Sequence, residues 1–552
     1  MVQTVRERRK TAPWLTPSMF NGDFALNPLL VFALCAFFIL LIQVLTPGWT
    51  LGLVQWIAAK RTWAGAAGGA AITLYLVVGL YYAFSPFIWD HGELAVAAGA
   101  KMYRSGHVLY NSIQDAERYS TLYGPATFMI YGCGMSVLGV SMGACKAVAS
   151  AAAVANIGFC YLALRRVAPA GLSLFATGLG ALLILGHNWA AFLCKADPFI
   201  LALAAAALWC ATGKPSWSAA ILLGALIGVE ADLKVHAFLY CLPALAVFAQ
   251  KAGMKKGLLV TATSLIVFWL PFLLPGISFM NWWRLMRIEG GSGFDLALFV
   301  VSLQWEAVLC LPLLLLWTVR SADPEKSAHS GQDKWPPLVL GISMAAALVF
   351  ASKRGSGPNH IMPFVPCAIY FALEKWREAQ INERLGLGMS NFFRLGAVTF
   401  VVCAVLLGGS EAARMISIQA KNNPTARAVC EDVRQIIEQL PAKRICMGYG
   451  ELNSVRFTFY KMPLLAVGNP ELLNFSAMIG YHGFELSDAS YALIESKAVD
   501  VWLIPKDNAP FSMPNRYAPY ADVFGERFRK VFAGNYEKRG SSRFFDLYLK
   551  RS

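Results

Sequence analysis

Two carboxylic acids, Asp90 and Glu93, lie in the polar segment 89–125, between long apolar runs of the sequence. The apolar run 69–88 directly before them has the length that a membrane-spanning helix needs, about 20 residues. A carboxylate at the mouth of such a helix can face a cavity rather than bulk water, and it could accept a proton from an incoming hydroxyl. The alternative is that the sequence Asp90-His91-Gly92 only caps and ends a helix.

A second group of residues, suited to anion binding, lies in the segment 353–366. Lys353 and Arg354 supply positive charge, and the two glycines that follow them let backbone amides approach an anion. His360 can donate a hydrogen bond to a phosphate oxygen. The alternative is a plain basic turn between two helices.

Ionisable residues also gather at the ends of other apolar runs, where they could bind sugar hydroxyls or phosphate, or pair with one another. They are Lys195, Asp197, Glu230, Asp232, Lys234 and His236. The segment 281–291 carries Arg284 and Arg287 and has the pattern of an amphipathic helix at a membrane surface. Its arginines either anchor the segment or steer an anionic lipid toward the site.

Composition defines the class of protein. The chain has 552 residues, of which 57% are hydrophobic and 15% charged, and its mean hydropathy is +0.50. These values indicate a polytopic α-helical membrane protein. The net charge is +15, but the basic residues form short clusters at the ends of apolar runs, as topology signals do, so nucleic-acid binding is not expected. We predict about 11–13 membrane helices, including 69–88, 147–164, 361–371 and 392–408.

The basic clusters also predict an orientation. The positive-inside rule places basic loops such as 320–334 and 375–384 in the cytoplasm. The loops with the candidate residues then lie on the outer side, which requires 123–140 to form a juxtamembrane helix. The chain divides into a basic tail (1–27), a transmembrane domain (28–410) and an extracytoplasmic α/β domain (411–552). In the last we predict a helix at 422–440 and strands within 444–450, 499–505 and 544–550.

Cysteine usage and motif content limit the chemistry further. Cys430 and Cys446 are the cysteines of the polar C-terminal region, where an oxidising compartment would let them pair. Asp90, His91 and Glu93 could ligate a divalent metal, but their spacing does not demand one. The sequence contains no P-loop and no dinucleotide-binding fingerprint. We therefore expect no required cofactor and no soluble nucleotide donor.

Seven residues of the segment 89–125 follow one pattern, an acidic residue after a core helix and then small, apolar and aromatic residues. They are Asp90, Gly106, Leu109, Tyr110, Tyr123, Gly124 and Pro125. In this pattern the segment resembles the extracytoplasmic first loop of the GT-C membrane glycosyltransferases, especially polyprenyl-phosphate-sugar-dependent mannosyl- and arabinosyltransferases. The segment 353–366 is similar to a late outer loop of the same families, where basic and His residues meet the lipid phosphate.

The resemblance implies an enzyme that moves a sugar from a polyprenyl phosphate to an acceptor hydroxyl on a cell-envelope glycan, lipid or protein. It would act in a bacterial inner membrane, with membrane lipid as a further partner. Asp90 would be the catalytic base, with Glu93 as an assistant or an alternative. Since two residues separate these acids, the choice between them stays open. The phosphate-binding candidates are Lys353, Arg354 and His360, and the other substrate-binding candidates are His91, Tyr110, Tyr123, Lys195, Asp197, Lys234, His236, Arg284 and Arg287.

Two other functions compete with this interpretation. A transporter or flippase of a lipid-linked sugar would also use buried charges, but it predicts charges deep in several helices and two related halves. The sequence instead gathers its charges on one predicted side and has no repeated half. A non-catalytic membrane anchor for the C-terminal domain is the second alternative.

Overall fold

The structure is a computed structural model that describes residues 27–46, 61–116, 119, 121–187, 189–317, 335–381, 387–473, 480–515 and 522–552. The predicted basic tail, apart from Asn27, and the predicted basic loop 320–334 lie outside the described residues. So does part of the predicted loop 375–384.

Helices form most of the chain up to residue 439. They are α1 (Pro28–Leu45), α2 (Arg61–Phe84), α3 (His91–Arg104), α4 (Pro125–Leu138), α5 (Met142–Leu164), α6 (Ala170–Gly186), α7 (Asp197–Thr212), α8 (Trp217–Leu233), α9 (Phe238–Ala252), α10 (Met254–Trp269), α11 (Phe279–Gly290), α12 (Leu296–Trp317), α13 (Trp335–Ala351), α14 (Val365–Ile381) and α15 (Leu387–Gln439). Short 3₁₀ helices lie at Trp189–Ala191, Leu270–Leu273, Pro358–His360 and Met362–Phe364.

Many of these helices have the composition of membrane spans. Among the described residues, five helices are long and apolar enough to cross a membrane, and six shorter helices are also apolar. Four lie in α1, α2, α5 and α15, and the fifth consists of α10 and the 3₁₀ helix Leu270–Leu273 that follows it. Large apolar side chains such as Leu30 and Phe37 in α1 are exposed in the isolated chain, as expected for surfaces that contact lipid. The protein is a multi-pass membrane protein.

Helices α2 and α6 pack at close range through glycine. A Cβ on Gly68 would lie 2.3 Å from the carbonyl oxygen of Leu174, and one on Gly178 would lie 2.5 Å from the carbonyl oxygen of Gly68. Small residues let membrane helices approach closely, which provides packing energy where no hydrophobic effect drives helices together. This contact fixes α2, whose C-terminal end leads into the candidate site.

Several predicted spans have different bounds in the structure. The predicted span 69–88 is observed as α2, which starts earlier at Arg61 and ends at Phe84. The predicted span 147–164 is observed as α5, which starts at Met142 because the Ser141 hydroxyl accepts a hydrogen bond from the Ala144 amide at 3.1 Å. The predicted span 361–371 is observed as α14, which continues as helix into the segment that we expected to be the basic loop 375–384.

The last membrane helix is longer than the sequence predicted. The predicted span 392–408 and the predicted helix 422–440 form one continuous helix of 53 residues, α15. Pro424, which we expected to open a separate helix, lies inside it. A proline inside a helix removes one backbone hydrogen bond and introduces a kink. Contacts of the helix with its neighbours can offset this cost. The expected domain boundary at residue 410 therefore falls within a helix.

The C-terminal region folds around a small mixed sheet in the order β1-β2-β4-β3. The strands are β1 (Ile445–Met447), β2 (Val501–Pro505), β3 (Tyr536–Ser541) and β4 (Phe545–Lys550), and the helices are α16 (Met462–Ala466), α17 (Asp488–Glu495) and α18 (Gly525–Asn535), with a 3₁₀ helix at Leu452–Phe459. Strand β1 pairs parallel with β2, and β4 pairs antiparallel with both β2 and β3. The predicted strands correspond to β1, β2 and β4. The sequence prediction missed β3 because this edge strand is polar and mostly exposed.

The two cysteines that could have paired are both free. Cys446 lies in β1, in the apolar cluster that surrounds Trp502, and its thiol donates to the carbonyl oxygen of Pro470 at 3.4 Å. Cys430 lies on α15 and packs against a different cluster, around Val429. The suggested disulfide is therefore wrong, because the two side chains belong to separate clusters.

Candidate active site

Asp90 is the residue that caps the N-terminus of α3. Its backbone is extended, and its Oδ1 accepts a hydrogen bond from the Gly92 amide. Its Oδ2 accepts a second one from Lys195 Nζ at 2.7 Å. The side chain of Asp90 is 8% exposed and that of Lys195 is 17% exposed. The capping role that the sequence suggested is present, but the carboxylate also belongs to a nearly buried ion pair.

The surroundings of Asp90 control its ionisation. Burial raises the pKa of the Asp90 carboxyl, but the charges of Lys195 and His91 and the hydrogen bonds from Lys195 and Gly92 outweigh burial and lower the pKa to about 2. Asp90 in turn raises the pKa of Lys195, against the effect of burial. Both groups are therefore charged at neutral pH, and Asp90 is a weak proton acceptor as long as Lys195 contacts it.

Glu93 is fully buried and has a different set of partners. Its Oε1 accepts hydrogen bonds from the Tyr82 hydroxyl at 2.5 Å and the Trp89 amide at 2.9 Å. Its Oε2 accepts one from the Cys194 amide at 3.0 Å. Trp89 directly precedes Asp90, and Cys194 directly precedes Lys195. Glu93 thus ties together the two backbone segments that carry the Asp90–Lys195 pair.

A second buried ion pair lies two residues further along the chain from Lys195. Asp197, the first residue of α7, accepts a hydrogen bond from Lys234 Nζ at 2.7 Å. The side-chain amide of Asn359 also donates to Asp197, at 3.2 Å. Both charged side chains are less than a tenth exposed. The pair joins the start of α7 to the end of α8 and to the 3₁₀ helix at Pro358–His360.

Two of the three candidate histidines, His236 and His360, contact each other. Nε2 of His236 lies 3.0 Å from Nδ1 of His360, and the Tyr240 hydroxyl lies 3.1 Å from the same nitrogen. Burial and the Lys234 ammonium lower the pKa of His360 to about 3, although Asp197 acts in the opposite direction. Burial, His360, Lys234 and Lys353 lower the pKa of His236. Both imidazoles are therefore neutral at physiological pH.

The other residues of the motif in the segment 89–125 stabilise the loop that follows α3. The Tyr110 hydroxyl donates to the carbonyl oxygen of Tyr123 at 2.7 Å, so Tyr110 stabilises the backbone. The ring of Tyr123 lies 5.5 Å from Lys234 Nζ. Gly124 is essential for this packing, because a Cβ there would lie 1.4 Å from the carbonyl oxygen of Asp232. Asp232 itself accepts a hydrogen bond from the Ala126 amide at 2.6 Å.

The other predicted residues are less buried than this group. Lys353 is half-buried, and its Nζ donates to the carbonyl oxygen of Gly290 at 3.1 Å. Arg354 is exposed. His91 has a side chain 46% exposed, with Nδ1 3.7 Å from Asp90 Oδ1. The two arginines of α11, Arg284 and Arg287, are exposed.

No group of three or more potential ligands to a metal ion occurs among the residues that the structure describes. Asp90, Glu93, Asp197 and the two histidines are instead satisfied by lysines, amides and each other, whereas the buried Oδ1 of Asp232 has no hydrogen-bond partner in the described part of the chain. The arrangement therefore offers hydrogen-bond donors and fixed charges to a ligand.

The sequence analysis missed four residues of this network. They are Tyr82, Lys146, Tyr240 and Asn359. Tyr82 and Tyr240 lie in apolar runs whose composition does not distinguish them from core residues. Lys146 had a usable signal, since a lysine inside an apolar helix is rare and usually functional. The misplaced start of α5 left that lysine in a predicted loop.

With the geometry established, comparison with known proteins shows the fold. No protein family model matches the sequence, and no curated protein matches it. ArnT from Cupriavidus metallidurans bound to undecaprenyl phosphate is structurally similar, with a TM-score of 0.54 and 12% identity over 89% of this chain and 99% of that chain. ArnT of the same organism in the apo state has a TM-score of 0.50 and 13% identity, over 89% of this chain and 98% of that chain. The chain has the fold of the GT-C membrane glycosyltransferases, with a small C-terminal sheet.

Proposed function

We propose that this protein is a glycosyltransferase that moves a sugar from a polyprenyl-phosphate donor to an acceptor hydroxyl of a cell-envelope glycan, lipid or protein. The reaction would take place on the extracytoplasmic side of a bacterial inner membrane. The shared fold supports this proposal, because the similar ArnT structure holds undecaprenyl phosphate. Mannose and arabinose are the sugars that the sequence resemblance favours.

One observation carries the proposal: a nearly buried carboxylate lies at the start of a connected row of cations and neutral imidazoles. Asp90 pairs with Lys195, and Asp197 pairs with Lys234. His360 follows, close enough to Asp197 and Lys234 for their charges to change its pKa. Such a row suits two substrates, an acceptor with its nucleophilic hydroxyl at one end and a donor with its phosphate at the other, because preorganised charges stabilise the charge that develops during transfer.

In the proposed reaction, the acceptor oxygen attacks the anomeric carbon of the donor sugar. The bond between that carbon and the phosphate oxygen breaks, and its electron pair leaves with the polyprenyl phosphate. Asp90 takes the proton of the acceptor hydroxyl. When the donor is bound, its anionic phosphate attracts the Lys195 ammonium and weakens the Lys195–Asp90 ion pair. The basicity of the Asp90 carboxylate therefore rises.

The same geometry supports different roles for the two acids. The Asp90 carboxylate contacts Lys195, a side chain 17% exposed, which in this proposal turns toward the phosphate of the bound donor. Glu93 is fully buried, and two of its three hydrogen-bond donors are backbone amides. A carboxylate in such a position stabilises the backbone around it and does not reach the acceptor substrate. We assign the base to Asp90 and a positioning role to Glu93.

The phosphate-binding role of the segment 353–366 stays part of the proposal. Lys353 lies close enough to His236 to lower the pKa of that imidazole. The charge of Lys353 therefore acts on the same row of cations and imidazoles. Arg354 is exposed next to it and can turn toward a lipid headgroup. His360, which is neutral, can donate one hydrogen bond to a phosphate oxygen. Lys353 and Arg354 would neutralise the leaving phosphate from this side.

The test is sugar release in a reconstituted system. Purified protein in lipid vesicles is given radiolabelled polyprenyl-phosphate-mannose or polyprenyl-phosphate-arabinose, together with cell-envelope extract as the source of acceptor. We expect the wild-type protein to consume one donor and to form labelled acceptor. If it consumes neither donor but moves the labelled lipid from one leaflet to the other, the protein is a flippase and the proposal is wrong.

A further inference from the structure

Lys146 is a lysine with 1% exposure near the start of α5. Its Nζ donates to the carbonyl oxygens of Ser85 at 2.8 Å and Phe87 at 2.5 Å. The same atom lies 4.1 Å from the centroid of the Tyr82 ring. Burying an ammonium is costly, and a packed apolar side chain would fill the same space at lower cost. The charge of Lys146 therefore needs a role.

Tyr82 connects Lys146 to the candidate active site. The Lys146 ammonium lies on the face of its ring, where a cation is attracted by the π electrons. The hydroxyl of the same ring donates to Glu93 Oε1 at 2.5 Å. One aromatic ring thus joins a buried cation to the buried carboxylate that holds the amides of Trp89 and Cys194.

These contacts converge on the segment 85–89, which leads from the end of α2 to Asp90. The segment has no regular secondary structure, so other groups must satisfy its backbone. Lys146 binds two of its carbonyl oxygens, and Glu93 binds the amide of Trp89. The Ser85 hydroxyl donates to Asn423 of α15 at 2.5 Å. The position of Asp90 thus depends on side chains of α3, α5 and α15.

We propose that Lys146 and Tyr82 are positioning residues, which act through Glu93 and the segment 85–89 to hold the Asp90 carboxylate in the place and direction that proton transfer needs. This inference rests on the proposed function. Neither residue touches the acceptor or the donor. Each fixes the position and orientation of the Asp90 carboxylate. Small displacements of a reacting group lower the reaction rate strongly.

The test compares Tyr82→Phe with Tyr75→Phe. Both tyrosines are fully buried on α2, and both changes remove one hydroxyl, but Tyr75 faces Asn156 of α5 rather than Glu93. Tyr82→Phe keeps the ring under Lys146 and loses only the hydrogen bond to Glu93. We expect it to lower kcat by about 10- to 100-fold with little change in KM for the donor. Tyr75→Phe should match the wild type.

Lys146→Met and Lys146→Arg form the second comparison. Methionine fills the space without donating hydrogen bonds, whereas arginine keeps the charge and the donors. We expect Lys146→Met to lower kcat in the same way and Lys146→Arg to recover part of the loss. Should Lys146→Met fail to fold, the Tyr82→Phe comparison still decides.

A pH profile separates positioning from a general structural role. Lys195, His91 and Tyr123 are the groups that face Asp90. If Tyr82→Phe lets Asp90 move away from Lys195, the acid limb of kcat/KM moves to higher pH. A change that only lowers thermal stability leaves this limb in place.

The possible outcomes are distinct. Loss of kcat and a shifted acid limb in Tyr82→Phe, with Tyr75→Phe unchanged, support the inference. An active wild type with normal kcat and pH profile in both Tyr82→Phe and Lys146→Met overturns the inference and leaves the proposed function intact. A wild type that transfers no sugar overturns the proposed function, and the inference falls with it.

Discussion

Glu93 Oε2 accepts a hydrogen bond of 3.0 Å from the amide of Cys194, although the two residues are 101 positions apart in the sequence. The contact joins the start of α3 to the turn before α7. Glu93 also binds the amide of Trp89, which precedes Asp90, and Cys194 precedes Lys195. These hydrogen bonds bring the ion pair together, with Lys195 Nζ 2.7 Å from Asp90 Oδ2. The ion pair at the centre of the proposed site is therefore set by a carboxylate that is not part of the pair.

This relationship predicts the effect of Glu93→Gln. Glutamine offers one acceptor oxygen where the carboxylate offers two, and its amide NH₂ would face a backbone N–H donor. A buried donor left unpaired costs about 1–3 kcal/mol. We expect a lower midpoint of thermal unfolding in detergent and a kcat reduced by about tenfold or more.

Glu431→Gln is the matched control for Glu93→Gln. Glu431 lies on α15 with a side chain 58% exposed, so the same chemical change there should alter neither property. Equal behaviour of the two variants would show that the position of Glu93 in the structure does not matter.

Lys195→Met is predicted to create a pH dependence that the wild type lacks. In the free wild-type enzyme the pKa of Asp90 is lowered to about 2, so the carboxylate stays ionised and kcat/KM should not fall between about pH 8 and pH 5. Without Lys195, burial is opposed only by His91 and the Gly92 amide, and the pKa of Asp90 rises. Activity then decreases as pH falls through the raised pKa.

The measurement for Lys195→Met is kcat/KM for the polyprenyl-phosphate donor across this pH range. The variant should show an acid limb and a lower maximum rate, because in the proposed reaction Lys195 also contacts the phosphate. A flat profile in Lys195→Met would mean that Lys195 does not control the ionisation of Asp90.

The Asp197–Lys234 pair predicts a compensating double variant. Removing one member of a buried ion pair leaves an unpaired buried charge, which costs about 3–5 kcal/mol, whereas removing both charges costs less. Lys234→Met alone should therefore lower the thermal stability more than Lys234→Met combined with Asp197→Asn. Thermal unfolding of the wild type, Lys234→Met, Asp197→Asn and the double variant in the same detergent gives the coupling energy. Simple additivity of the two changes would contradict the pairing.

Gly124→Ala is predicted to be strongly destabilising. The added Cβ would lie 1.4 Å from the carbonyl oxygen of Asp232, so the turn before α4 and the end of α8 would have to separate. Changes of this kind fall in the exceptional range, about 4 kcal/mol or more. Gly158→Ala on α5 has no atom within 4 Å of the new Cβ and serves as the control. Comparable yields of folded protein for both variants would contradict the close contact at Gly124.

Long apolar runs of the sequence predicted the membrane class and most of the membrane helices, because that information is local. The GT-C fold was expected only from the resemblance of the segments 89–125 and 353–366. The sequence also identified β1, β2 and β4, whose apolar and aromatic residues are typical of buried strands. It missed β3 and separated α15 into two elements at Pro424. Edge strands are polar by necessity, and the effect of a proline depends on the contacts around it.

The candidate site was predicted as a set of residues, but not as a set of pairs. Asp90, Lys195, Asp197, Lys234 and His360 were all singled out by type and position. Spacing within a segment could not show that Lys195 meets Asp90 or that Lys234 meets Asp197, because helix packing decides which helix ends come together. The roles of Tyr82 and Lys146 depend on those long-range contacts as well.

The most direct test of the central claim is the turnover of a polyprenyl-phosphate sugar by Asp90→Asn, compared with the wild type and with Asp115→Asn. Asparagine can still cap α3 and accept a hydrogen bond, but it cannot take a proton from an acceptor. Asp115 is an exposed acid of the same polar segment and controls for a general loss of charge. We predict that Asp90→Asn folds and has turnover reduced by about 10²-fold or more, while Asp115→Asn is fully active. A folded Asp90→Asn protein that turns over the donor as fast as the wild type would contradict the assignment of Asp90 as the base.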